Sequence, residues 1–154
     1  MNITIRVASE TDYAQVERIM KQVQDLHIQW RPDIYKEVYV VLPQEMFLDH
    51  LAREEVIVAV DEQERVVAIL IYVTRNITGG PMVERKVMFI DSMAVDEQYR
   101  GRGIGHKLFD HMRQICAAQH YDGLELQVNA RNTAAREMYA KYGFTEKSIN
   151  MELL

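Results

Sequence analysis

The run Tyr99-Arg-Gly-Arg-Gly-Ile-Gly105 constrains the fold more than any other part of this 154-residue chain. It joins an apolar segment typical of a strand (Val87–Val95) to an amphipathic segment typical of a helix (Ile104–Gln119). A glycine-rich turn at such a junction leaves the N–H groups of the first helical turn unpaired, and the helix dipole there favours negative charge. Because Arg100 and Arg102 add positive charge, the segment is predicted to bind a pyrophosphate.

The glycine spacing distinguishes this turn from two other phosphate-binding motifs. The chain has no Gly-x4-Gly-Lys-[Ser/Thr] run of a P-loop, and Gly101-x-Gly103-x-Gly105 differs from the Gly-x-Gly-x-x-Gly of dinucleotide-binding folds. Read from Arg100, the run is Arg-x-x-Gly-x-Gly. This resembles the coenzyme A pyrophosphate motif of the GNAT acyltransferase superfamily.

A second segment, Val128–Phe144, supports the same resemblance. Asn132 is a good helix N-cap, the apolar residues after it recur at helical spacing, and Gly143 is placed to end the helix. The positions of Asn132, Tyr139 and Gly143-Phe144 match those of the family. Together the two motifs cover about residues 83–145, and the resemblance is weak over residues 1–55.

The resemblance implies a fold, a cofactor and several site residues. The expected fold is α/β (α+β): a mixed, mostly antiparallel sheet of six to seven strands with four helices, splayed between strands 4 and 5. Acetyl-CoA is the implied cofactor, and Tyr139 matches the family tyrosine that gives a proton to the leaving sulfur. A phenol suits that role because it is neutral at pH 7 and a good donor. The implied cofactor-binding residues are Met93, Ala94, Val95, Arg100, Gly101, Arg102, Gly103, Ile104, Gly105 and Asn132.

The general base is less defined by the sequence. Asp91 is the only carboxylate within Val87–Val95, and a carboxylate in an apolar strand must be paired, solvated or raised in pKa. Asp91 is therefore the candidate base, acting directly or through water. Glu84 and Glu125 are alternatives on neighbouring strands, and a water chain without a dedicated base is a further one.

The acceptor site is expected in the segment Leu26–Val41, because the first two helices and their loop set substrate choice in the family. Three aromatic residues there could form a pocket wall, and three acidic residues could receive a cation. The overall acidic balance of the chain also favours a cationic acceptor. The aromatic residues are Trp30, Tyr35 and Tyr39; the acidic ones are Asp25, Asp33 and Glu37.

Composition narrows the class of protein. A hydrophobic content of 48% and a length of 154 residues fit one domain spanning residues 1–154. The net charge of −5 disfavours nucleic-acid binding, and no segment is predicted to cross a membrane or to act as a signal peptide, so the expected location is cytoplasmic. Cys116 is assigned to the core, no metal site is expected, and a homodimer is left open.

Hydrophobic periodicity places the elements along the chain. A first strand is followed by a long helix that ends before Pro32, and a short helix begins near Pro43. A hairpin, the strand and helix around the glycine turn, and a closing strand–helix–strand follow. The predicted strands are Ile3–Val7, Val56–Val60, Val66–Thr74, Val87–Val95, Leu124–Val128 and Thr145–Leu153.

The chain is therefore predicted to be an N-acetyltransferase that uses acetyl-CoA, with direct attack by a primary amine of a small molecule or peptide in a ternary complex. The alternative is a catalytically inactive module on the same fold that binds acyl-CoA for regulation or sensing. A mononucleotide-binding domain is disfavoured, because no lysine-serine/threonine pair follows the glycines.

Overall fold

A computed structural model describes residues 1–154, with five strands in one sheet and four α-helices. The strands are numbered β1–β5 and the helices α1–α4 in chain order, and single 3-10 turns precede α1 and follow β4. The strands are Thr4–Val7, Val56–Val60, Val66–Ile77, Arg85–Val95 and Gly123–Leu126. The helices are Tyr13–Trp30, Gln44–Ala52, Ile104–Ala118 and Thr133–Tyr142.

The sheet has the strand order β1-β2-β3-β4-β5. The first four strands pair antiparallel, and β4 pairs parallel with β5. A parallel pair requires a crossover connection, which α3 supplies. The mixed, mostly antiparallel sheet and the four helices agree with the predicted fold.

Each face of the sheet carries its own apolar core. On one face, Val16 and Ile19 of α1 and Phe47 of α2 pack on the even-numbered residues of β2 and on residues of β3 that include Ile69 and Ile71. On the other face, the apolar side of α3 (Leu108, Phe109, Met112) packs on the alternate residues of the same strands. All five residues of β2 are therefore buried, although they alternate between the faces.

A β-bulge divides β4 into two parts. Ile71 pairs with Ser92 but Tyr72 pairs with Ile90, so Asp91 is the extra residue of the bulge. The parallel pairing with β5 ends at the same point, since its last pair is Ile90 with Leu126. Beyond Ile90, β4 keeps β3 on one side and has no strand on the other. We call the segment Asp91–Val95 the open edge of β4.

The predicted sixth strand, Thr145–Leu153, is wrong. Residues 144–154 form no helix or strand, and Ile149, Met151 and Leu153 of the alternating pattern are 74%, 87% and 100% exposed. Alternation fits a pleated surface, but a strand also needs a neighbouring strand with which to pair. The segment contacts β5 through an ion pair between Lys147 and Glu125, not through backbone pairing, so the sheet has five strands.

Several boundaries also differ from the predicted ones. The strand β3 extends to Ile77 and β4 begins at Arg85, whereas β5 ends at Leu126 rather than Val128. No helix of the structure has the length and apolar character needed to cross a bilayer.

Candidate acyl-transfer site

The glycine turn (residues 99–105) opens α3 with two residues in the left-handed region. Gly101 has φ of +76° and Gly103, the N-cap of α3, has φ of +78°. Only glycine adopts this conformation at low cost. A Cβ at either position would meet no atom within 4 Å, so the backbone borders open space. This open space lies at the N-terminus of α3, where unpaired N–H groups favour an anion.

Gly105 has a different role in the same turn. A Cβ there would lie 2.8 Å from Sδ of Met138, which means that the start of α3 touches α4. Ile104 and Gly105 are both buried. These two residues can therefore reach a ligand only through their backbone N–H groups, while their other atoms pack α3 against α4.

Arg100 and Arg102 are exposed, and neither lies within 4.0 Å of a carboxylate. The Nε of Arg100 donates to the carbonyl oxygen of Val95 at 3.1 Å, which fixes the side chain between the end of β4 and the turn. The guanidinium of Arg102 lies 5.1 Å from the ring centroid of Tyr99. Two cations thus flank the turn with N–H donors left for a phosphate.

The open edge of β4 presents backbone groups of alternate residues. The Val95 carbonyl reaches the side chain of Arg100, whereas the next N–H, that of Asp96, donates to Val67 of β3. By the alternation of a strand, the polar groups of Met93 and Val95 face the gap beside β5, and those of Ala94 face β3. Of the three residues predicted to bind the cofactor here, the geometry favours Met93 and Val95.

Tyr139 reaches the same region from α4. Its ring packs at 5.8 Å between centroids against both Phe109 and Phe144, and its hydroxyl makes no hydrogen bond within the protein. Burial raises the pKa of the Tyr139 hydroxyl. The side chain is therefore a neutral donor at physiological pH that is not already engaged. Tyr142, one turn away, instead donates to Asp110 at 2.6 Å.

Asn132 is the N-cap of α4, as predicted. Its side-chain oxygen accepts a hydrogen bond from the N–H of Ala135 at 3.2 Å. The amide nitrogen of the same side chain makes no hydrogen bond within the protein, so it is free to donate to a ligand.

The three candidate bases are placed differently. Asp91 is exposed at the bulge, where β4 and β5 separate. Glu84 precedes β4 and lies nine residues before Met93, which is about 30 Å along an extended strand. Glu125 accepts two hydrogen bonds from Lys147 at 2.9 Å, and this contact together with Arg85 holds its pKa below the ordinary value. Asp91 is the best placed of the three.

The loop between α1 and α2 (residues 31–43) is fixed to α1 by polar contacts. The carboxylate of Glu17 accepts the N–H groups of Val41 and Leu42 at 2.6 and 2.8 Å. Gln24 donates to the Lys36 carbonyl at 2.9 Å. The loop is therefore held against the helix along most of its length.

The predicted aromatic residues of this region are only partly brought together. Trp30 and Tyr35 both stack on His27, with centroid distances of 5.8 and 4.7 Å. Tyr39 is 92% exposed and contacts Lys21 instead. Burial of His27 lowers its pKa, so this group of rings is neutral at pH 7.

The predicted acidic residues also separate. Asp33 forms an ion pair with Arg31 at 2.7 Å. Asp25 and Glu37 line a shallow cleft of about 170 Å³ between α1 and the loop, beside Lys21. The three carboxylates therefore do not form one cation site.

Sequence reasoning missed Asp96, which connects the end of β4 to α1. Its side chain is buried and accepts from Arg18 of α1 at 2.6 Å and from the N–H of Gln98 at 3.1 Å. Burial alone would raise its pKa, but these hydrogen bonds and the charge of Arg18 hold the pKa of Asp96 below the ordinary value. The sequence signal that could have identified Asp96 is its position, a carboxylate directly after an apolar strand and before a glycine turn.

A wider cleft lies elsewhere in the molecule. It has a volume of about 390 Å³ and is lined by residues that include Glu55, Tyr72, Gln119 and Tyr121. Gln119 and Tyr121 follow the C-terminal end of α3, whereas the glycine turn lies at its N-terminal end, about 22 Å away for a helix of 15 residues. We therefore do not assign this cleft to the site.

The chain belongs to the acetyltransferase (GNAT) family, whose model matches residues 20–144. The chain is 30% identical over 112 residues to the peptidyl-lysine N-acetyltransferase YjaB of Salmonella typhimurium, an alignment that covers 73% of this chain and 65% of that protein. The alignments span 20–65% of the lengths of the curated relatives that the chain matches.

Solved structures of the same fold cover almost the whole chain. A tetramutant of the BH1408 protein of Bacillus halodurans superposes with a TM-score of 0.94 at 32% identity, covering 98% of this chain and 99% of that one. The acetyltransferase AAC(6')-Iy, solved with a bisubstrate analog of coenzyme A, gives a TM-score of 0.73 at 14% identity, with coverage of 100% and 98%. The latter likeness concerns the fold alone.

Proposed function

We propose that this protein is an N-acetyltransferase that transfers an acetyl group from acetyl-CoA to a primary amine by direct attack in a ternary complex. One observation carries the proposal: the open edge of β4 leads directly into the glycine turn, and the partly buried Tyr139, whose hydroxyl has no hydrogen-bond partner within the protein, packs against the same apolar core as Met93 of that edge. Membership of the acetyltransferase (GNAT) family supports it.

The residues present fit the cofactor by their chemistry. The exposed backbone of Gly101 and Gly103, together with the flanking Arg100 and Arg102, offers donors and positive charge for a pyrophosphate. Coenzyme A supplies the acetyl group as an activated thioester. The backbone polar groups of Met93 and the N–H of Val95 would hold its pantetheine arm as an added strand pairs with a sheet edge, while the Val95 carbonyl accepts from Arg100.

Two side chains of this protein would transfer protons during the reaction. Tyr139 would donate its hydroxyl proton to the departing thiolate, because its raised pKa keeps it protonated through neutral pH. Asp91 would accept the proton that the attacking amine loses, directly or through water. A backbone N–H of the open edge would polarise the thioester carbonyl.

The alternative is an inactive acyl-CoA-binding module used for regulation or sensing. Such a module needs the glycine turn but has no use for a proton donor at the thioester. The Tyr139 side chain is partly buried and its hydroxyl is bound by no other residue, which favours the enzyme.

Turnover of acetyl-CoA tests the proposal. The purified protein would be incubated with acetyl-CoA and a panel of primary amines, and release of the free thiol would be followed. We expect amine-dependent release for at least one class of acceptor. Binding of acetyl-CoA by calorimetry without turnover on small amines, polyamines, amino sugars or lysine peptides would support the sensing module instead.

A further inference from the structure

Three cations gather on the part of the sheet face that α1 and α2 leave uncovered. They are Arg75 on β3, Arg85 on β4 and Lys147 after α4. Arg85 and Lys147 pair with one carboxylate, Glu125, and Arg75 stacks on Phe89, the neighbour of Glu125 across the strands. We call this set of three the cationic face. It carries a local positive surplus in a chain whose net charge is −5.

The alternation of the strands places these side chains together. Met88, Ile90, Leu124 and Leu126 point into the core under α3, so Phe89 and Glu125 point to the opposite face. Phe89 and Glu125 are direct neighbours in the parallel pairing of β4 with β5. The cationic face is therefore built around the Phe89–Glu125 pair.

Arg75 is held in place without a counter-ion. Its guanidinium carbon lies 3.5 Å from the ring centroid of Phe89, a buried residue, so the planar group stacks on the ring. No carboxylate lies within 4.0 Å of it. A stacked guanidinium keeps its N–H donors at the edge, in the geometry that matches a carboxylate or phosphate.

Glu125 is paired with the other two cations and does not neutralise Arg75. Arg85 contacts Glu125 at 3.4 Å and Lys147 contacts it at 2.9 Å. Arg85 takes this position because Gly123 has no side chain there; a Cβ would lie 2.8 Å from the Nη2 atom of Arg85. Two cations on one carboxylate leave a net positive charge beside the free guanidinium of Arg75.

The cationic face adjoins the candidate base. Asp91 follows Phe89 by two residues on β4, which is about 6–7 Å along the strand. Because the bulge sets Asp91 and Ser92 opposite Ile71, and Ile71 belongs to the core under α1 and α2, Asp91 borders the face that carries Phe89. An amine whose proton passes to Asp91 would therefore bring its other substituents toward Arg75.

We propose that the acceptor amine carries an anionic group, a carboxylate or a phosphate, which Arg75 binds with help from the field of Arg85 and Lys147. This inference rests on the proposed acetyl transfer and narrows its acceptor class. It replaces the cationic acceptor that the acidic composition alone favours, because the charge beside the site differs in sign from the charge of the whole chain.

Matched pairs of amines test the inference. β-Alanine and β-alaninamide differ by one carboxylate, and O-phosphoethanolamine and ethanolamine differ by one phosphate. For at least one pair, we expect the anionic member to have a KM about tenfold or more below that of its neutral partner. Arg75→Gln should raise that KM about 10- to 100-fold, the range for a hydrogen bond to a charged group, with kcat nearly unchanged. The neutral partner should keep its KM.

Arg113→Gln is the matched control. It removes the same charge from an exposed position of α3, on the other side of the sheet, and should leave both members of each pair unchanged. If the neutral member of each pair is acetylated as efficiently as the anionic member, or if Arg75→Gln affects both members equally, the inference is wrong while acetyl transfer stands. If no amine is acetylated, calorimetry with β-alanine and O-phosphoethanolamine still decides it. If the wild type binds one of these amines and Arg75→Gln abolishes that binding, the anion site is supported. If the wild type binds neither amine, the inference is overturned.

Discussion

The two halves of the candidate site are built in different ways. The half assigned to the cofactor comes from one continuous stretch of the chain, from β4 through the glycine turn and α3 to α4, and its features are backbone conformations and the hydroxyl of the partly buried Tyr139. The half assigned to the acceptor comes from segments far apart in the chain. Glu125, for example, forms ion pairs with Arg85 and Lys147, which are 40 and 22 residues away along the chain. Local chain geometry thus defines the first half, and long-range side-chain contacts define the second.

The largest effect is expected in the cofactor half. Gly103→Val places a branched side chain where the backbone borders open space at φ of +78°. Loss of two charge-assisted hydrogen bonds, each worth about 1.5–3 kcal/mol, would weaken coenzyme A binding more than about 100-fold. Calorimetric titration with coenzyme A measures this loss.

Gly79→Val is the control for backbone strain. Gly79 has φ of +82°, no atom within 4 Å of its Cβ position, and lies in the turn before β4, away from the glycine turn. Both variants should lose about 1–2 kcal/mol of folding stability, because both force a branched residue into the left-handed region. Equal loss of coenzyme A affinity in the two variants would contradict a specific role for Gly103.

The second effect concerns chemistry. Tyr139→Phe removes one hydroxyl and little volume, so kcat should fall about 10²- to 10⁴-fold while the Kd of the cofactor stays nearly constant. Single-turnover measurements give the chemical step directly. A variant that retains most of its rate would exclude Tyr139 as the proton donor.

Tyr142→Phe is the control from the same helix. Its hydroxyl donates to Asp110, and its ring belongs to the same aromatic cluster, so it tests packing without the proposed donor. We expect its kcat to remain close to that of the wild type. A general acid must be protonated, and burial raises the pKa of Tyr139. Ionisation of Tyr139 should therefore not lower the rate until the pH exceeds the ordinary tyrosine pKa of about 10.

The sequence predicted most of the fold because its signals are local. Apolar residues at helical spacing, the N-cap Asn132 and the stop at Gly143 located α4, and strand periodicity located β1 to β5. The failure at Thr145–Leu153 has a clear cause. Its alternation is as regular as that of the true strands, but pairing depends on a neighbour that the segment itself does not specify.

Only part of the candidate site could be predicted in this way. The glycine turn and Tyr139 follow from motif spacing, whereas the stacking of Arg75 on Phe89 depends on the register of β3 against β4. No spacing along the chain reveals that register. The position of Asp91 in a bulge was equally hidden, since it arises from the pairing of Ile71 and Tyr72 across the sheet.

The third prediction concerns Asp91, the candidate base, which lies between the cofactor half and the acceptor half. Asp91→Asn removes the candidate base and should lower kcat/KM about 10²-fold near neutral pH, the lower end for acid–base catalysis, because water can take part of the role. The loss should shrink at higher pH, where more amine is already neutral. Glu125→Gln, a nearby ion-paired carboxylate, is the control and should not show a loss that shrinks with pH. A loss in Asp91→Asn that is flat with pH would make this residue structural.

The smallest effect concerns the ion pair that connects the halves, between Asp96 at the end of β4 and Arg18 of α1. Breaking a fully buried pair costs about 3–5 kcal/mol, but the side chain of Arg18 is 37% exposed, so for Asp96→Asn we expect a loss of about 1–3 kcal/mol in urea denaturation.

The pH dependence of the same pair gives a second readout. The pKa of Asp96 is lower in the folded protein than in the unfolded chain, so its contribution is complete above about pH 4 and is lost as pH falls through the folded pKa. Asp96→Asn should therefore converge with the wild type in acid. Because Asp96 also accepts from Gln98 just before the glycine turn, the variant should weaken coenzyme A binding slightly as well. A variant that loses stability equally at pH 7 and at pH 3 would show that packing, and not the charge of Asp96, joins the two halves.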